Sequence, residues 1–178
     1  IVTCNPYFNC GKCYPCMRGH VNCCEDNQTM GVQREGAFST YITMPVQRIY
    51  DGKGLPAKTL AIVEPFCISL HGVRRAAIHS NENVLIIGAG AIGIFAAKAA
   101  KMLGANVTIC DVAEHKLEIA RNLGFSSTIL NTNPESFIEQ VMAVTNHNGF
   151  DVTIEAVGLP STFQNSLDAA CYHGRVVV

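Results

Sequence analysis

The hexapeptide Gly88-Ala89-Gly90-Ala91-Ile92-Gly93 follows directly on a short apolar run, residues 84–87, and opens an alanine-rich stretch over residues 91–103. Few folds accommodate that order. Four apolar residues bounded by a glycine turn read as a buried strand, and the alanine-rich stretch reads as a helix. The alternation continues: 106–110 as strand, 114–123 as helix, 127–130 as strand, 134–145 as helix, 151–155 as strand, 161–170 as helix and 175–178 as strand. Pro134 falls in a first turn, where its missing N–H does no harm. Strands and helices at this spacing predict βαβ units, and hence an α/β fold with a parallel sheet covered by helices on both faces.

G-x-G-x-x-G is a weak signal alone and a stronger one between a strand and a helix. Gly88 permits the tight turn, Gly90 leaves room for a diphosphate against the backbone, and Gly93 lets helix and strand pack closely. The N–H groups opening the helix, from Ala91 and Ile92 onward, face the phosphates with the positive end of the helix dipole. Asp111 ends the second strand, 23 positions after Gly88 (111 − 88). A carboxylate there accepts hydrogen bonds from ribose hydroxyls and repels a 2′-phosphate, so the expectation is a Rossmann-type domain that takes NAD rather than NADP. The competing reading is a glycine turn that merely joins strand to helix. Lys116 is a candidate for the adenosine end, with a solvated helix face as the alternative. Val157 and Gly158, just past the fourth strand, are candidates for the nicotinamide ribose, or a plain turn.

Nine cysteines are present, and five crowd into residues 10–24. Cys10, Cys13, Cys16 and Cys24 give C-x2-C-x2-C-x7-C, four thiolates able to wrap one tetrahedral zinc at about 2.3 Å per bond. With sulfur at every position no site is left for water, so the metal is structural. Cys23 is an alternative fourth ligand, with Cys24 preferred. An iron–sulfur cluster is disfavoured because the bacterial ferredoxin run closes with x3 and Cys-Pro, which is absent. Disulfides fit poorly with the reducing, cytoplasmic setting expected here. Cys4, Cys67, Cys110 and Cys171 are isolated and expected to be small buried residues.

The rest of the first third is less patterned. Residues 1–8 read as a strand, 36–50 as an exposed-edge strand, 51–54 as a turn, and 66–77 as a helix. Hydrophobic residues make up 48% and charged residues 15%, enough for a sizeable core, and the net charge of −1 has no basic stripe. Nucleic acid and membrane are therefore not expected as partners. The first residue is Ile1 within an apolar run and the last are Val176-Val177-Val178, so both ends read as mid-strand and the chain as a fragment of a longer enzyme.

A four-cysteine lobe preceding a nucleotide-binding fold resembles the zinc-containing medium-chain dehydrogenases. The resemblance covers essentially the whole chain. It rests on the cysteine spacing, Gly36-Ala37-Phe38-Ser39-Thr40-Tyr41, Val63-Glu64-Pro65, the glycine motif and Asp111. Glu64-Pro65 and His71-Gly72-Val73-Arg74-Arg75 are similar to the sorbitol, xylitol, idonate and galactonate dehydrogenase branch, whereas ethanol-type members carry cysteine at the position of Glu64. Thr40 departs from the glutamate common in relatives. The resemblance implies a partial β-rich, GroES-like catalytic domain over 1–65, its zinc lobe at about 10–30, and an NAD-binding Rossmann domain over 66–178, cut short at its C-terminal end.

It also implies a second, catalytic zinc, held by a Cys and a His-Glu pair that precede the zinc lobe and lie before Ile1. Glu64 is its third ligand or a carboxylate just behind it; the alternative is an exposed carboxylate at a helix start. The implied chemistry oxidises a secondary alcohol of a polyol or sugar acid to a ketone, with zinc as Lewis acid, in a homo-oligomeric full-length enzyme. The 178 residues alone are expected to hold structural zinc, to bind NAD weakly and to turn over no alcohol. The rival reading is a non-catalytic dinucleotide-binding module with a zinc knuckle.

Overall fold

The structure, a computed structural model, describes residues 1–178 apart from the side chains of Pro134 and Glu135, so the role expected of Pro134 lies outside the described residues. The chain forms two compact units, Ile1–Val63 and Glu64–Val178.

In the first unit, β1 (Val2–Cys4), β2 (Tyr7–Phe8), β3 (Gln28–Thr29) and β4 (Ile49–Asp51) make two antiparallel pairs, β1 with β4 and β2 with β3. Two short helices, α1 (Tyr14–Met17) and α2 (Ala57–Ala61), complete it. The strand expected over 36–50 is absent except for its last residues in β4. An alternating sequence becomes a strand only where a neighbour takes its backbone hydrogen bonds, and among the described residues none runs beside 36–45. Phe38 and Tyr41 consequently lie in the open. Leu60 is the one buried hydrophobic side chain among the described residues of this unit. Apolar packing therefore contributes little to its stability.

The second unit begins within α3 (Val63–Arg75). This helix starts three residues before the expected 66, which puts Glu64 and Pro65 in its first turn. Both suit that place, one for its charge against the dipole and the other for its missing N–H. There follow β5 (Asn83–Ile87), α4 (Ala91–Met102), β6 (Asn106–Asp111), α5 (Glu114–Asn122), β7 (Ser127–Leu130), α6 (Pro134–Val144), β8 (Phe150–Glu155), α7 (Pro160–Asp168) and β9 (Ala170–Val177). The five strands form one parallel sheet in the order β7-β6-β5-β8-β9. The chain thus steps outward in one direction from β5 and then in the other, the doubly wound order of a Rossmann-type domain. β9 starts earlier than the expected 175, with a register irregularity opposite Phe150–Val152.

Both faces of the sheet are buried, which is why its strands read as unbroken apolar runs. Val84, Ile86, Ile109 and Val152 point to one side, against Val73 of α3, Ala96, Ala97 and Ala100 of α4, and Leu117 of α5. Leu85, Ile87, Cys110 and Ile129 point to the other, against Phe137 and Val141 of α6. Alanines on α4 let that helix lie close over the central strand. The approach is closest at Gly93, where an added Cβ would come within 1.8 Å of the Gly88 carbonyl oxygen. No helix of the described residues is long and apolar enough to cross a membrane.

Phe137 is fully enclosed, so Phe137→Ala is expected to lower the unfolding free energy of the second unit by about 3–5 kcal/mol. Urea unfolding followed by far-UV circular dichroism measures this. A loss under about 1 kcal/mol would mean that the site collapses freely and that α6 is not packed as described.

Candidate functional site

β5 runs out at Ile87, and the chain turns at Gly88, whose φ of +107° suits a residue without Cβ. The strand ends are knitted together here. Gly88 N–H donates to the Cys110 carbonyl (2.7 Å), Ala156 N–H to the Ile87 carbonyl (2.9 Å) and Asn131 N–H to the Asp111 carbonyl (3.0 Å). Gly90 caps α4 without any side-chain hydrogen bond to the helix. The first N–H groups of a helix have no acceptor within it, so those of Ala91, Ile92 and Gly93 are left for a ligand at the positive end of the dipole. A Cβ added to Gly90 would meet nothing within 4 Å. The backbone is therefore open to close approach on the side where a diphosphate would lie.

A cavity of about 470 Å³ lies over this point, at the carboxyl ends of the strands. Among its lining residues are Gly88, Gly90, Asp111, Lys116, Asn131 and Val157. Its volume suits a small ligand or part of a larger one. Ala91, Ile92, Gly93 and Gly158, also expected in the site, are not among the lining residues: Gly93 is packed against the turn, and the Ile92 carbonyl accepts a hydrogen bond from Ser69 Oγ (2.9 Å). A larger cavity, about 660 Å³, lies in the first unit beside Phe8, Arg34 and Tyr41. It lacks the convergence of backbone donors and buried carboxylates that marks the smaller one.

Asp111 closes the β6 side. Its Oδ2 accepts from Ala89 N–H of the glycine loop (2.8 Å) and its Oδ1 from Ala113 N–H (2.9 Å). Lys116 Nζ stands 3.7 Å from Oδ2. The carboxylate is thus oriented by the loop it borders, and its remaining lone pairs are available to hydroxyl donors. On the β8 side the wall is Ala156, Val157 and Thr162, and behind it stands Glu155, which sequence reasoning missed. It is buried, accepts from Val157 N–H (2.8 Å) and from Gly158 N–H (3.0 Å), and receives the Thr162 hydroxyl (2.8 Å). The available signal was a carboxylate ending an apolar strand just before the Val157-Gly158 turn.

In the first unit, the ligand atoms of Cys10, Cys13, Cys16 and Cys24 all lie within 4.8 Å of one another. Cys13 Sγ and Cys24 Sγ are 3.9 Å apart; tetrahedral bonds of 2.3 Å imply S···S separations of about 3.8 Å. The donor set and its spacing fit zinc. Backbone N–H groups of Cys10 and Cys13 point at the sulfurs of Cys24 and Cys10 (3.3 and 3.4 Å). Arg48 donates to Asn9 Oδ1 (2.6 Å), turning the Asn9 amide toward Cys16 Sγ (3.8 Å). The N–H groups of Lys12 and Cys13 pull the Cys10 thiol down to about 7, whereas burial and the Cys13 thiol push Cys16 up to about 11. A metal that displaces their protons would level that difference. Cys23 is exposed and outside the group, its sulfur near its neighbour Asn22.

Glu64 sits half-buried in the first turn of α3. Among the described residues, the four cysteines are the only group of three or more His, Cys, Asp or Glu side chains close enough to share an ion. Of the isolated cysteines, only Cys110 is buried; Cys4 and Cys171 are half-buried and Cys67 is exposed. The expectation of burial fails at these three because each lies on an edge strand or an uncovered helix face.

Residues 1–54 match the family model of the alcohol dehydrogenase GroES-like domain, and residues 91–178 that of the zinc-binding dehydrogenases. An uncharacterised zinc-type alcohol dehydrogenase-like protein of Haemophilus influenzae is 37% identical over 98% of the chain and 51% of its own length. L-galactonate-5-dehydrogenase of Escherichia coli is 37% identical over 97% of the chain and 50% of its length. The crystal structure of galactitol-1-phosphate dehydrogenase from Escherichia coli superposes with a TM-score of 0.88 at 30% identity, over 98% of the chain and 51% of the other. The chain thus spans about half the length of the curated relatives it matches. With one domain model following the other in order, and the same fold under both, the chain belongs to the zinc-type medium-chain dehydrogenase family.

Proposed function

We propose that this chain contributes the cofactor pocket and a closed structural zinc site to an NAD-linked oxidoreductase that converts a secondary alcohol of a polyol or sugar acid to a ketone. The observation that carries the reading is the open glycine turn at Gly88–Gly90 under a cavity bordered by Asp111. Diphosphate falls on the N–H groups opening α4, and the adenosine ribose falls on the β6 side, where Asp111 accepts its hydroxyls and repels a 2′-phosphate. Lys116 neutralises part of that carboxylate's charge. The nicotinamide half then extends over β8, past Val157 and Gly158. Bound there, the dinucleotide supplies the hydride acceptor, and a reactive zinc, with Glu64 as ligand or supporting carboxylate, supplies Lewis acidity. The names of two relatives, L-galactonate-5-dehydrogenase and galactitol-1-phosphate dehydrogenase, support that substrate class.

The residues of the chain have separable tasks. The glycine turn binds, Asp111 selects, and the walls from β6 to β8 hold the dinucleotide out of water. Cys10, Cys13, Cys16 and Cys24 take no part in chemistry, because a metal held by four sulfurs has no position for substrate. Their metal can contribute roughly 10–16 kcal/mol of apparent free energy to a unit with little apolar core.

Two measurements test this reading. Titration with NADH and NADPH, followed by the fluorescence of the reduced nicotinamide, is expected to show tighter binding of NADH. Asp111→Asn should narrow the preference by about tenfold or more by removing a repelling charge; an unchanged ratio would take Asp111 out of cofactor selection. Metal analysis is expected to find one zinc per chain in the parent protein and in Cys23→Ser, and a large loss in Cys24→Ser. Equal loss in both variants, or in neither, would contradict the four-sulfur site.

A further inference from the structure

Asp111 and Glu155 are the only buried carboxylates among the described residues. They occupy corresponding places, each ending a strand that flanks β5, and each accepts N–H groups of the loop that follows it. The loop after β6 is gripped through Ala113 and the loop after β8 through Val157 and Gly158. Glu155 differs in one respect. Among the described residues no lysine, arginine or histidine pairs with it, whereas Asp111 has Lys116. A buried charge without a counter-ion is stable only when several donors converge on it. Here they are two backbone N–H groups and the Thr162 hydroxyl, which also takes the Leu159 N–H at 3.3 Å.

The two N–H donors belong to one short turn, and Thr162 to the first turn of α7 that follows it. Ala156 and Val157 pack directly onto the cofactor turn: a Cβ added to Gly88 would lie 2.9 Å from Val157 Cγ2 and 3.0 Å from the Ala156 carbonyl oxygen. Gly158 carries a φ of +89°, so the backbone reverses there. Val157 and Thr162 line the cavity. The carboxylate therefore sets, through bonds of 2.8–3.0 Å, the place of the wall on the β8 side.

We propose that Glu155, with Thr162, is a positioning pair for the nicotinamide half of the dinucleotide: it holds the 156–158 turn against Gly88 and leaves the adenosine half, on the β6 side, untouched. The proposal rests on the dinucleotide reading above. Glu155 acts through the turn it holds rather than on the reacting atoms.

Isothermal titration of the chain with NADH and with ADP, which keeps the adenosine and diphosphate but lacks the nicotinamide and its ribose, separates the two halves. In Glu155→Gln the side-chain amide presents N–H groups to the N–H of Gly158, and the turn loosens. NADH affinity is expected to fall by about tenfold or more, with ADP affinity kept within about twofold. Thr162→Val is expected to lose affinity for NADH in the same selective way, and Thr162→Ser, which keeps the hydroxyl, to restore it. The Thr162 variants carry the test if Glu155→Gln does not fold. Equal weakening of both ligands would make the pair a general fold element and overturn the proposal, as would unchanged NADH binding. An unsubstituted chain that binds neither ligand would instead remove the dinucleotide reading, and the proposal with it.

Discussion

The second unit is organised around a close approach of backbone to backbone at the end of its central strand. Gly93 sits so near the Gly88 carbonyl that any side chain there would displace α4, and Gly88 sits so near Ala156 and Val157 that any side chain there would push the β8 turn away. Hydrophobic burial on both faces of the sheet drives β5 into the middle. It does not by itself place the start of α4 over the strand end. Two missing Cβ atoms do that, and they leave the helix N–H groups pointed at the space above Gly90 rather than at a side-chain cap. Pocket and packing have one cause.

Around that point the burial of polar groups follows a consistent rule. Interior carboxylates are costly unless several donors meet them, and each of the two in this unit is met by the main chain of the loop that follows it. Asp111 reaches back to Ala89 as well as forward to Ala113, so it ties the glycine loop to β6 while presenting its free lone pairs upward. Glu155 reaches forward only, to Val157, Gly158 and Thr162. The asymmetry leaves Asp111 with lone pairs open to a further donor, whereas Glu155 is directed at its own turn and helix.

Much of this was legible in the residues. Unbroken apolar runs such as 84–87 announce strands covered on both faces, and the glycine spacing announces the turn and its close packing. The cysteine spacing points to Cys24 rather than Cys23, and the sulfurs do converge that way, because the 3₁₀ turn over Val21–Cys23 carries Cys23 outward. What could not be read depends on partners distant in sequence. The alternation in 36–45 looked like a strand, but pairing is a property of two segments, and no second segment meets it. Cys67 looked like a small core residue, but a helix position is buried only if something packs on its face. Glu155 escaped notice because its function is defined by donors two, three and seven positions later that converge only once the turn has formed. The helix start at Val63 was missed because Pro65 reads as a stop, although a proline in the first turn is a beginning.

The two units solve the problem of stability differently, and the difference bears on how the chain behaves. The second unit encloses a full layer of aliphatic and aromatic side chains on each face of its sheet, so its folding is governed by transfer of apolar surface from water. The first encloses Leu60 and little else. Its ordered points are the thiol cluster, the N–H···S bonds around it, and the Arg48–Asn9 contact that turns an amide toward Cys16. An ion held by the four thiols would take the place of a core in such a unit, and its affinity would depend on pH through the protons that the thiols must lose. Backbone N–H groups draw the Cys10 thiol down to about 7 while burial pushes Cys16 up to about 11, so two thiols of one cluster hold their protons with different strength. The order of the second unit rests on its apolar layers and carries an acid dependence of its own, since Arg175 draws the Glu82 carboxyl below its ordinary range.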